Sequence, residues 1–232
     1  MAIGTPETSG SETPRRRRGR PQSVGLGDKR RQELTVAAFK VFSETSYEDA
    51  AVSSIAKEAG FGQGTLYRYV DGKRELLDMV VDWCIEKLMD VIDADELLAL
   101  AEQKPSGEMV RDEIRRLGER LYALVDEYPG ILKILTVQVG TVDREVKYRL
   151  TGLYATLDSL VNTLLERISP GAGVDPVSEV RRRTAGRAIP ALALPGLIQV
   201  LTGEGDSPER RAAYLRAAGS LERYGVLRRG ER

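Results

Sequence analysis

From Asp28 onward, apolar residues recur at three- and four-residue steps, the spacing of one buried helix face. Leu34, Ala37, Ala38, Val41 and Phe42 predict a first helix from Asp28 to about Glu44. Val52, Ile55, Ala56 and Ala59 predict a short second helix over 52–59, with Gly60 placed for a left-handed C-terminal cap. A third short helix fits Gln63 to Val70 and is broken by Asp71-Gly72. Next comes a helix from Lys73 to about Ile92. Its Leu76, Leu77, Val80, Val81, Cys84, Ile85, Leu88 and Met89 cover more than one face, so it should pack on two sides, as a connector between two domains does.

The rest of the chain follows the same period. Val110, Ile114, Leu117, Leu121, Leu124 and Tyr128 form one stripe, ended by Pro129-Gly130. A short segment from Ile131 to Val139 precedes a second stripe of Val146, Leu150, Leu153, Leu157, Leu160, Leu164 and Ile168, stopped by Ser169-Pro170-Gly171. Two more helices fit about 176–202 and 208–225, the first interrupted by Pro190 and Pro195. No period-2 alternation and no internal repeat occurs. The expected fold is all-α with about nine helices, divided into a basic arm (1–27), a first helical domain (28–77) and a helical bundle (78–232).

Composition narrows the chemistry. The 232 residues include no His and one Cys, so a Ser-His-Asp triad, a His-ligated metal and an internal disulfide are excluded by inventory, and no metal or cofactor is expected. The longest nearly apolar run, Ala188 to Leu201, is too short and too broken to span a bilayer, and the first 25 residues have no secretory apolar core. A cytoplasmic location is expected. Charge is balanced at 35 basic and 35 acidic residues, but unevenly: residues 1–77 hold 13 basic and 10 acidic side chains, and Arg15, Arg16, Arg17, Arg18 and Arg20 cluster in the arm. The N-terminal end is therefore the candidate to meet a polyanion.

Two short helices joined by a Gly-containing turn, Val52 to Val70, are what a helix-turn-helix requires: the first braces, and the second lays its N-terminal residues on base edges. Here the second offers Gln63, Gly64, Thr65, Tyr67, Arg68 and Tyr69. Gln can pair bidentately with adenine and Arg with guanine, while Lys73 opens a helix whose N-terminus suits an anion. For Tyr67 and Tyr69 the plainer alternative is packing between helices.

Ile55-Ala56, Ala59-Gly60, Gly64-Thr65-Leu66-Tyr67, Tyr69, Lys73 and Leu76-Leu77, extended back through Ala37, Ala38, Phe42 and Tyr47, resemble the DNA-binding domain of the TetR (tetracycline repressor) family of bacterial transcriptional regulators. Five positions depart from the family pattern. Ser46 stands for the usual Gly, Ala51 for a Ser or Thr cap, Gly62 for the Ser cap of the recognition helix, Val70 for Phe and Gly72 for Ser. Each lost cap costs up to about 1 kcal/mol against Ser. The resemblance implies that Gln63, Gly64, Thr65 and Arg68 face bases, that Tyr67, Tyr69 and Lys73 touch phosphates, and that Ser53 joins this DNA-binding set.

Arg17-Arg18-Gly19-Arg20-Pro21 looks like an AT-hook, with Arg17, Arg18 and Arg20 for a narrow minor groove, though a basic tail can equally be a solvated arm. The resemblance further implies a homodimer on a palindromic double-stranded DNA operator, with repression as the usual mode, and a small-molecule effector in the C-terminal bundle. Candidate lining residues for an apolar effector are Leu117, Leu121, Tyr122, Tyr128, Leu150, Tyr154 and Leu157; candidate dimer-interface residues are Leu194, Leu197, Leu201, Leu215, Ala218 and Leu221. Two other readings stay open: a nonspecific architectural DNA-binding protein using its arm, and an α-helical enzyme using Asp126 and Glu127 or Asp143 and Glu145.

Overall fold

The computed structural model describes residues 26–135, 144–168 and 206–225, together with residues 180, 184, 187, 197 and 200. Nine helices are described: α1 (Leu26–Glu44), α2 (Val52–Glu58), α3 (Gln63–Leu66), α4 (Lys73–Ile92), α5 (Ala94–Glu102), α6 (Gly107–Glu127), α7 (Gly130–Lys133), α8 (Arg144–Ile168) and α9 (Pro208–Gly225). No strand occurs among the described residues, and no helix among them is long and apolar enough to cross a membrane. The arm with Arg17, Arg18 and Arg20, and most of the helix expected over 176–202, with Leu194 and Leu201, lie outside the described residues.

The core is built first around α1. Leu34, Ala38, Phe42, Ile55, Leu66, Leu76, Leu77, Val80, Val81 and Cys84 have no exposed surface or almost none, so the inward faces of α1, α2, α3 and α4 meet in one cluster. Cys84 belongs to that core, where burial pushes its thiol up to about 12 and leaves it unreactive at neutral pH. The same cluster continues into α6 and α7 through Tyr122, Val125, Ile131 and Ile134. Helix α4 packs on α1, α6 and α8, as its doubly apolar sequence predicts.

Two turns carry the local geometry. Gly60 adopts φ +70°, its N–H donates to Lys57 O, and Phe61 N–H donates to Ala56 O. This is the Schellman closure expected at the end of α2, and it needs a left-handed residue. Gly72 sits at φ +154°, a conformation L side chains rarely adopt, so glycine at this departure from the family pattern is required by the backbone.

The third helix differs from expectation. The spacing predicts a helix over Gln63–Val70, but α3 ends at Leu66. Beyond it the bonds shorten to Arg68 N–H on Thr65 O and Tyr69 N–H on Leu66 O, the tighter turn common at helix ends. Helix α5, opened by Asp93 accepting from Glu96 N–H, has no counterpart in the apolar pattern read from the chain.

Candidate nucleic-acid interface

Helix α3 is four residues long and one-sided. Leu66 has no exposed surface and Val70, just beyond, is 3% exposed, whereas Gln63, Gly64, Thr65, Tyr67 and Arg68 all face solvent. Ser53 is exposed on α2. Thus six of the residues expected to meet DNA form the outward surface of α2, α3 and the turn that follows. Gly64 is informative because a Cβ there meets nothing within 4 Å. The fold itself has no need of glycine at this position, although glycine costs a helix roughly 0.5–1 kcal/mol relative to alanine.

Tyr69 and Lys73 are placed differently. Tyr69 is half-buried against the core, and its ring lies 6.4 Å from that of Phe61, which in turn is covered by the Arg30 guanidinium at 5.1 Å. Tyr69 thus packs against the core, while Tyr67 is 51% exposed. The Lys73 ammonium donates to Glu48 O at 2.9 Å and sits 4.8 Å from the centre of the Tyr47 ring, so it ties the 46–50 turn to the start of α4. Ser46, in place of the usual glycine, accepts from Asp49 N–H and donates to the Asp49 carboxylate.

Neither α2 nor α3 has a side-chain cap: Ala51 and Gly62 both hold extended backbone with no capping hydrogen bond. At α4, which also has no side-chain cap, a carboxylate of the first turn reaches back to the preceding loop. Asp71 N–H donates to Glu75 Oε2 at 2.6 Å, while Glu75 Oε1 accepts from Arg31 Nη2 at 2.7 Å. Arg31 Nη1 also donates to Tyr69 O. The Asp71 amide first, and Arg31 second, hold the Glu75 carboxyl below the usual glutamate range. Glu75 follows Gly72 by three residues, the spacing of a capping box, but its bond goes one residue further back, to Asp71 N–H rather than to that of the N-cap Gly72; nothing local in sequence points to Arg31.

The residues expected to line an effector site are scattered. Tyr122 is buried under the Arg211 guanidinium, 4.8 Å away, and Tyr128 stacks edge-on with Trp83 and Phe39, in the core shared with α1 and α4. Tyr154, by contrast, is 58% exposed. Leu117, Leu121 and Leu157 are half-buried, and the side chain of Leu150 lies outside the described residues. The two stripes do not form one shared seam: α6 makes its main contacts with α4, α7 and α9, and α8 with α5 and α4. Glu113, buried on α6 and paired with Arg116 and Arg120, is a buried charge that the apolar stripe does not signal.

Of the expected dimer residues, Leu197 is buried in the core cluster, and Leu215 packs on α6, where a Cβ on Gly118 would fall 2.1 Å from Leu215 Cδ2. Ala218 is half-buried, and the Leu221 side chain lies outside the described residues. The carboxylates weighed for catalysis hold structural bonds: Asp126 receives both Nη atoms of Arg211, Glu127 bonds the Tyr128 hydroxyl, and Glu145 pairs with Arg149 and Arg74. Asp143 lies outside the described residues.

Residues 34–80 match the profile of the family described as bacterial regulatory proteins, tetR family. Over these residues the chain is similar to that family. The "Fatty acid metabolism regulator protein" of Bacillus subtilis (strain 168) is 28% identical over 157 residues, covering 56% of this chain and 81% of that protein. A tetR-family transcriptional regulator from Streptomyces coelicolor shares the fold at a TM-score of 0.59 and 19% identity, over 87% of this chain and 83% of that one. The regulator FadR from Bacillus subtilis, solved in complex with stearoyl-CoA, does so at 0.60 and 16% identity, over 84% and 98%. The matched segment, residues 34–80, is the one that presents α2 and α3.

Proposed function

We propose that this chain is a cytoplasmic repressor that binds a palindromic operator as a homodimer, through Ser53, Gln63, Gly64, Thr65, Tyr67 and Arg68, and leaves it when a fatty-acyl ligand binds the C-terminal helices. The observation that carries the DNA assignment is the one-sidedness of α3, with Leu66 fully inward and every other residue of the helix outward. A helix of this length reads only a few base pairs, so two copies on a symmetric site are needed for a useful operator. The arm, with Arg17, Arg18 and Arg20, adds salt-dependent affinity in the minor groove. Lys73 stays with the 46–50 turn in free protein and offers its remaining donors to a phosphate. The acyl class follows from the name of the 28%-identical relative and from the ligand in the FadR structure. On α6, Leu117 and Leu121 are half-buried apolar surface.

Selection of bound duplexes from random DNA by the purified full chain tests this reading. The expected result is an enriched palindrome, released by long-chain acyl-CoA and not by CoA alone. An architectural protein enriches no motif, and enrichment without release by any acyl-CoA overturns the ligand assignment.

A further inference from the structure

We propose that Arg31 and Glu75 are positioning residues for base reading: a two-residue clasp that fixes the angle of α3 without touching DNA bases. The proposal rests on α3 being the reading element. A helix of four residues cannot hold its own orientation, because nucleating so short a helix is unfavourable. On its inner side Leu66 and Val70 anchor it to the core. Its far end, and the loop leading to α4, are gripped by side chains from outside.

Tyr69 O, past the last turn of α3, takes its proton donor from Arg31 on α1. Two residues later Asp71 N–H donates to Glu75 on α4, and the other guanidinium nitrogen of Arg31 joins the two grips by donating to Glu75 Oε1. Two stretches distant in sequence, α1 and residues 69–75, therefore meet on one fork-shaped cation and one carboxylate. Gly72, held at φ +154°, gives the loop the shape that turns the Asp71 amide toward Glu75. A shift of α3 by one hydrogen-bond length breaks the Tyr69 bond first, so the clasp penalises any rotation of the reading face.

Electrostatics alone predicts the opposite sign at Glu75. Removing a negative charge beside a phosphate-binding surface should strengthen binding to all DNA, whereas loss of a positioning carboxylate should weaken operator binding and leave random DNA unaffected or slightly tighter. The test uses the full chain, its selected operator and a random duplex of equal length, with folding followed by circular dichroism. Arg31→Ala and Glu75→Ala are each expected to weaken operator binding about tenfold, and the double variant no further than the worse single, as for residues acting as one unit. Arg31→Lys keeps the charge but cannot span both acceptors, and is expected to lose operator preference as Arg31→Ala does. Wild-type operator preference in Arg31→Lys, or tighter operator binding by Glu75→Ala, overturns the clasp. So does a loss of affinity that merely tracks a loss of folded protein. A wild type with no preference between operator and random DNA overturns the DNA-reading assignment, and the clasp with it.

Discussion

The region from α1 to α4 and the region from α5 to α9 are both helical, yet they are held together differently. In the first, Leu34, Phe42, Ile55, Leu66, Leu76 and Leu77 are entirely enclosed. In the second, Tyr122, Val125 and Ile131 of α6 and α7 join that same core, but Leu153 is the one buried side chain among the described residues of α8, and none is buried among those of α9. Much of what joins the second region is ionic: Arg120 to Glu96 and Glu113, Arg167 to Glu102, and Arg211 to Asp126 and Asp206. The more exposed of these, Arg120–Glu96 and Arg167–Glu102, contribute about 0–1 kcal/mol each. The difference follows from helix length. Helices of seven and four residues exist only where particular side chains pack around them, so their sequence must be specific. Helices of 25 and 18 residues need only a stripe, and a stripe leaves the partner open.

Core truncation probes that contrast most strongly. Phe42→Ala is expected to cost about 3–5 kcal/mol in urea unfolding and to remove operator binding, while Leu153→Ala falls at about 2 kcal/mol. Equal losses at the two sites contradict the contrast.

The two regions also use glycine in opposite ways. Gly118→Ala drives a Cβ to 2.1 Å from Leu215 Cδ2, an overpacking that costs about 1–3 kcal/mol and is partly relieved by adding Leu215→Ala. Gly64→Ala enters open space and should stabilise the fold by up to about 1 kcal/mol, yet weaken operator binding if the proposed reading face brings DNA into that space. Thermal melts paired with operator titrations check both, and a Gly64→Ala variant with unchanged affinity removes the case for a close approach there.

The smallest expected effect is with pH. The Glu75 carboxyl lies below its usual range when folded, so its stabilisation is complete above the unfolded value, near pH 4.3, and is lost as pH falls through the folded value. Comparing wild type with Glu75→Gln should show an extra loss of under about 1 kcal/mol in wild type below about pH 4, and parallel acid profiles contradict the bond pattern at Asp71.

What was legible follows the same division. Gly60 as a left-handed cap and the doubly packed α4 are visible because each demands a residue type at a fixed spacing. The early end of α3 was not, since Tyr67, Arg68 and Tyr69 satisfy a helical pattern equally well in a tightened turn. Arg31 was not, because its partners lie 38 and 44 positions away. Tyr122 and Tyr128 read as hydroxyls for a ligand, yet their rings fill the core, and periodicity cannot say which helix a stripe meets.

The central claim is that the outward face of α3 reads bases. Its most direct test is a salt titration of wild type and Arg68→Ala on the selected operator and on a random duplex. Wild type is expected to prefer its operator by about 10³-fold or more, and Arg68→Ala to lose about 1–3 kcal/mol of that preference with the fold intact. An unchanged operator preference in Arg68→Ala would contradict the account.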